Sequence, residues 1–144
     1  MSTEENKQNV LYFMESVFNQ GQLDVIDEQT PPDSVDHQEP SGTDFAQHLK
    51  EVVVGLRTAF PDLHFEIHDI IAEGDLVAFR STMTGTHQGE FSLGPIRHLP
   101  PSGNTVSVAH MHFIRMTDGI TYDLWHVWDI PALMRQLNIQ PMPH

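Results

Sequence analysis

The chain has no cysteine in its 144 residues, which excludes disulfides, thiolate nucleophiles and Cys-ligated zinc. It is also poor in basic side chains: seven Lys and Arg stand against 20 Asp and Glu, giving a formal charge of −13. A surface of that sign repels phosphate backbones and anionic membranes, so neither a nucleic acid nor a membrane is expected as a partner. No apolar run approaches the roughly 20 residues that span a bilayer. The opening Met-Ser-Thr-Glu-Glu-Asn lacks a basic stretch followed by an apolar one, so no secretory signal is expected and the cytoplasm is the default location. A Gly-rich phosphate loop, a nucleophile elbow and a His-Glu-x-x-His pair are missing as well.

What is present suffices for one packed domain. Hydrophobic residues make up 39% and charged residues 19% of the chain, which argues for a core over disorder. One domain over residues 1–144 is expected, with 1–5 and 139–144 as flexible tails. Val10, Phe13, Met14, Val17 and Phe18 follow the i, i+3, i+4, i+7, i+8 spacing of a helix with one apolar stripe, ending near Gly21. Phe45, Leu49, Val52, Val53, Leu56 and Phe60 predict a second long helix, capped at Thr43 or Asp44 and stopped by Pro61. Beyond it the period changes from helical to alternating. Strands are expected over 63–72 and 76–86 around Glu73-Gly74-Asp75, and over 106–116 and 120–128 around Thr117-Asp118-Gly119. A weaker strand is expected near 90–93, and a short helix over 131–137. Helices followed by antiparallel hairpins predict an α+β fold: a curved, mostly antiparallel sheet forming a cone, with the N-terminal helices packed over its concave face. Pockets form where helices cover the open end of such a sheet.

Ten histidines are many for this length, and three fall on the apolar faces of the last hairpin. One face of strand 106–116 carries Val106, Val108, His110, His112, Ile114 and Met116; one face of strand 120–128 carries Ile120, Tyr122, Leu124, His126 and Trp128. A three-residue loop at Thr117-Asp118-Gly119 pairs Met116 with Ile120, His112 with Leu124 and His110 with His126, keeping the two apolar faces together. Opposed residues lie about 5 Å apart, so the three imidazoles should gather. Three readings stay open. They are core histidines satisfied locally; neutral bases whose pKa is lowered by burial and by one another; or three facial ligands, His110, His112 and His126, for a divalent metal with one open position. Tyr122 and Trp128 can line a pocket or serve as ordinary core aromatics. Asp129, just ahead of Ile130-Pro131-Ala132, is read as a helix N-cap.

Phe60-Pro61-Asp62-Leu63, Gly85-Thr86-His87-Gln88-Gly89, Pro100-Pro101-Ser102-Gly103, His112-Phe113-Ile114-Arg115, Trp125-His126-Val127-Trp128-Asp129 and Met134-Arg135-Gln136-Leu137 together resemble the SnoaL-like polyketide cyclase family of the nuclear transport factor two-like superfamily, over nearly the whole chain. The resemblance implies an aldol cyclase that closes a ring without a cofactor, an aspartate acting as acid/base inside the cone and a histidine polarising the substrate. It places His112 at the cavity histidine, His110 where a cavity glutamine can occur, and His126 where the aspartate would stand. It also puts Tyr12, Asp36 and His37 in regions that line the cavity, and implies a homodimer or higher homo-oligomer. A histidine can replace the carboxylate as a base, since abstraction beside a carbonyl needs only a neutral acceptor of suitable pKa.

The expected function is therefore a cofactor-free cyclase, isomerase or lyase acting by proton transfer on a small, mostly apolar carbonyl compound. His126 would be the general base, His110 would tune its pKa, and His112 would bond the developing enolate oxygen. The alternatives are a non-catalytic ligand-binding or assembly domain of the same fold and a three-His metal enzyme.

Overall fold

The computed structural model describes residues 2–94 and 96–139. The first apolar stripe forms helix α1 (Thr3–Phe13), capped by Ser2, whose Oγ accepts the Glu5 N–H at 3.1 Å. It thus starts inside the stretch expected as a tail; of the C-terminal tail, residues 140–144 lie outside the described residues. The stripe continues through a π-helical turn, Met14–Asn19, with Met14, Val17 and Phe18 still buried. Gly21, at φ 75°, ends it in the left-handed region. Arg57 Nη1 donates to the carbonyl oxygens of Phe18 and Asn19, each at 2.9 Å, partnering carbonyls that a helix end leaves free. After α2 (Asp24–Gln29) and the two-residue strand β1 (Val35–Asp36), α3 (Phe45–Ala59) starts at Asp44, which accepts the Gln47 N–H. Phe45, Leu49, Val53 and Leu56 are its buried face.

The remaining elements are β2 (His64–Glu73), β3 (Leu76–Thr86), β4 (Phe91–Leu93), β5 (Ile96–Leu99), β6 (Thr105–Thr117), β7 (Ile120–Trp128) and α4 (Ile130–Gln136). The main curved sheet runs β1-β7-β6-β3-β2, antiparallel except for β1, which lies parallel to β7. The second sheet is the small β4–β5 hairpin; β5 has no counterpart in the sequence reading. Asp129 caps α4 through the Ala132 N–H at 3.1 Å, with Pro131 in the first turn, as expected. Gly89 packs directly against the end of α3. A Cβ there would lie 2.0 Å from the Thr58 carbonyl oxygen at the end of α3, and main-chain oxygen cannot swing aside. Gly89→Ala is expected to cost about 2 kcal/mol or more of unfolding free energy, read as a lowered urea midpoint at unchanged slope.

The last hairpin departs from its expected register. Asp118 and Gly119 both have positive φ, 51° and 77°, and form a two-residue turn, with Thr117 opposite Ile120. A two-residue turn alone would put the two apolar faces on opposite sides. The pairing slips between Arg115 and Met116, however: Met116 faces Thr121 and Arg115 faces Asp123, leaving Tyr122 as the extra residue of a bulge. The net displacement from the expected pairing is two residues, so beyond the bulge every side chain keeps its face and changes only its partner. His126 therefore opposes His112, not His110, and His110 opposes Trp128.

Candidate functional site

The concave face of the sheet and the helices α1 and α3 enclose a cavity of about 500 Å³, within the usual range for a small-molecule site. Its walls are largely apolar, with Val10, Phe13 and Met14 on one side, Leu49, Val52 and Leu56 on another, and Phe65, Ile114 and Leu124 from the sheet. His110, His112 and His126 all line it, so the expected convergence is present.

Their arrangement follows from register. His112 lies between Phe79 of β3 and His126 of β7, and the rings stack in a row: 4.4 Å and 5° to Phe79, 5.7 Å and 14° to His126. His110, two residues earlier, lies 5.6 Å from the His112 ring, edge-on to Trp128 at 5.0 Å and tilted against Phe65 at 5.2 Å. Burial, with a smaller repulsion from His126, pushes the His110 pKa down to about 3. Burial also drives that of His112 well below its usual value, helped by repulsion from His110 and His126. Both rings are thus neutral near pH 7.

The partner of His126 is Asp36. Its Oδ2 lies 3.2 Å from His126 Nε2, and its side chain is 5% exposed. Burial alone would raise the Asp36 pKa, but hydrogen bonds from His126 and from the Gln38 N–H, with the attraction of His126 and His48, hold the carboxyl below its usual value. An ionised Asp36 only accepts, so His126 presents Nε2–H to it and keeps Nδ1 as its lone-pair nitrogen. Gln38 ties the pair from both sides. Its N–H donates to Asp36 Oδ1 at 3.0 Å, and its Oε1 accepts the His126 main-chain N–H at 2.7 Å. The strap carrying Asp36 is pinned to β7, since the His37 N–H donates to the Leu124 carbonyl at 2.9 Å.

Other expected residues fall differently. Asp36, Leu124 and Trp128 line the cavity. Tyr12 does not: it is 53% exposed, on the opposite side of α1 from Val10 and Met14, which face inward. Tyr122 does not either, because the bulge displaces it and Thr121 takes the inward position. His37 turns away from the cavity, stacked on Trp125 at 4.5 Å with Nε2 2.9 Å from Asp123 Oδ1. Its neighbour Asp36 makes the contact to the cluster. The expected tuning of His126 by His110 loses its direct pairing with the register change. Besides Gln38, two ionisable lining residues are not singled out by the sequence: Glu39, and His48 on the polar side of α3. They pair at 2.9 Å beside Asp36. A helix-face pattern cannot show which turn of its polar side looks into a cavity mouth.

Metal-binding potential moves with these residues. The three imidazoles do not bring a ring nitrogen each within 4.8 Å of one another, so they do not form a facial three-His site as they stand. Among the described residues, the group whose possible ligand atoms all lie within 4.8 Å of one another is Asp36, Glu39 and His48, each already bonded to a protein partner.

The sequence profile of the SnoaL-like polyketide cyclases matches residues 8–137. Several solved structures share the fold. AclR, a proposed hydroxylase of Streptomyces galilaeus, is 32% identical, with a TM-score of 0.79 over 98% of this chain and 89% of AclR. IdmH, a proposed polyketide cyclase of Streptomyces antibioticus, is 28% identical, with a TM-score of 0.77 over 93% of this chain and 99% of IdmH. TsrD of Streptomyces laurentii, at 23% identity, superposes with a TM-score of 0.81 over 97% of this chain and 99% of TsrD. No curated protein matches.

Proposed function

The chain belongs to the SnoaL-like polyketide cyclase family, and from that premise we propose that it is a cofactor-free enzyme moving a proton beside the carbonyl of a small, mostly apolar compound. The supporting observation is the bonded Asp36–His126 pair, 3.2 Å apart, facing a neutral His112 inside an apolar cavity of about 500 Å³. His126 Nδ1 takes the proton from the carbon next to the carbonyl. Asp36 holds the imidazole in that tautomer and stabilises the imidazolium that forms. His112, kept neutral by burial, donates an N–H to the oxygen on which enolate charge develops. The enolate carbon can then attack a second carbonyl of the same molecule, as in an aldol ring closure, or be reprotonated elsewhere, as in an isomerisation. The homo-oligomer belongs to the same proposal. The outer face of β6 and β7 presents Met111, Phe113 and Val127, each more than half exposed, as an apolar surface for a second copy.

The test uses 1-tetralone, a neutral bicyclic ketone, in D₂O with excess EDTA. The protein is expected to exchange the protons next to the carbonyl faster than buffer alone, followed by proton NMR. Exchange no faster than buffer, or abolished by the chelator, would contradict the proposal. In the same assay Gln38→Ala is expected to lower the exchange rate on the order of tenfold, with KM changed less than threefold. It loosens the alignment of the Asp36–His126 pair, while the apolar walls and His112 that hold the ketone are unchanged.

A further inference from the structure

The register change leaves His110 without the role the sequence reading gave it, and its surroundings are unusual. The residue is 7% exposed at the cavity wall, yet neither ring nitrogen has a hydrogen-bond partner. Directly opposite on β3 stands Ser81, 1% exposed, whose Oγ is likewise unpartnered. Buried polar atoms in native proteins are paired in the great majority of cases, and an orphaned one costs about 1–3 kcal/mol. Phe65 and Trp128 flank the ring and offer it no acceptor. Two polar side chains on neighbouring strands, both unsatisfied and one of them facing the cavity, form a built recognition point.

We propose that His110, backed by Ser81, is a second polar subsite of the cavity, binding a neutral oxygen function of the substrate, a hydroxyl or carbonyl, apart from the oxygen held at His112. This deepens the proposed function and rests on reading the cavity as a substrate pocket, but not on which group takes the proton. The chemistry favours a neutral group over an anion. Among the described residues no Lys or Arg lines the cavity, while Asp36 and Glu39 do, so a carboxylate would be buried with like charge and no counter-ion. The 5.6 Å between the His110 and His112 rings then calls for a substrate with an apolar body and at least two oxygen functions on one edge. A neutral imidazole can donate from one nitrogen and accept at the other.

Three probes separate the possibilities by calorimetry: 1-tetralone, 7-hydroxy-1-tetralone, whose two oxygens share one edge, and the 7-carboxylate of 1-tetralone. The hydroxy ketone is expected to bind the native protein about tenfold tighter than 1-tetralone, in line with one added hydrogen bond to a buried partner, and the carboxylate weakest of the three. His110→Phe should erase the advantage of the hydroxyl and change 1-tetralone affinity less than threefold. His126→Gln should keep that advantage while losing proton exchange, so a failure here and a failure of the catalytic proposal show up separately. A hydroxyl advantage that survives His110→Phe, equal binding of the two neutral probes, or tighter binding of the carboxylate would overturn the proposal. Failure of every probe to bind would overturn it together with the substrate-pocket reading. Should the Phe variant not fold, the ring ¹⁵N resonances of His110 in the native protein decide: they shift with the hydroxy ketone but not with 1-tetralone, and equal behaviour with both overturns it.

Discussion

His126→Gln is expected to lower the rate of proton exchange and of any turnover by about 10²-fold or more, the usual size of a general-base contribution. The amide can occupy the space of the ring but has no nitrogen able to take a proton at neutral pH. The fold should tolerate the change, because His126 is bonded to Gln38 through its main-chain N–H and its side chain is 24% exposed. Thermal unfolding of the variant should therefore stay within a few degrees of the native protein while the rate collapses. A loss of less than a few-fold, with the fold intact, would remove His126 from the role of base. Asp36→Asn should reproduce part of that loss, since an amide can offer His126 a donor where the carboxylate offers only acceptors, and so permits the wrong tautomer.

Acid should weaken the fold in a window set by the buried histidines. His110 has its pKa depressed to about 3 in the folded state, against about 6.5 in the unfolded chain. Below pH 6.5 the unfolded chain gains a proton that the folded protein refuses, so unfolding becomes more favourable as pH falls. The contribution is fully present above pH 7 and is lost progressively toward pH 3. For His110 alone the change between pH 7 and pH 5 is about 2 kcal/mol. His112 and the buried His87, both depressed chiefly by burial, act in the same direction. Asp36 has the opposite charge type: its lowered pKa makes its contribution fade only as pH drops below about 4. The window from 7 to 5 therefore reports the histidines. Urea unfolding at the two pH values measures it, and equal stabilities would contradict the burial of these rings.

Much of this geometry was legible in residue order, and the rest was lost for identifiable reasons. The helices α1 and α3 announced themselves through apolar spacing, and β3 and β6 through alternation, because burial on one face writes a period into the sequence. The gathering of His110, His112 and His126 followed from the same alternation. It survived the wrong register because a shift of two residues preserves the face of every side chain beyond the bulge. The partners were not legible. Asp118-Gly119 suits a two-residue turn, but the compensating bulge at Tyr122 has no local signal: an extra residue is tolerated wherever the faces on either side gain by it. Asp36 reaches His126 across 90 positions of sequence through a two-residue strand, and the alternation of so short a strand cannot be seen. Tyr12 shows the reverse case, in which a family likeness pointed to a region but the helical phase of that region turned this side chain outward.

The measurement closest to the central claim is a ¹H–¹⁵N NMR titration of the imidazole rings in the ligand-free protein between pH 7.5 and 5. His126 is expected to carry its proton on Nε2 while neutral, and His110 and His112 to stay neutral to the lower end of the range. Protonation of either inner ring near pH 6.5, or a His126 proton resident on Nδ1, would contradict that claim.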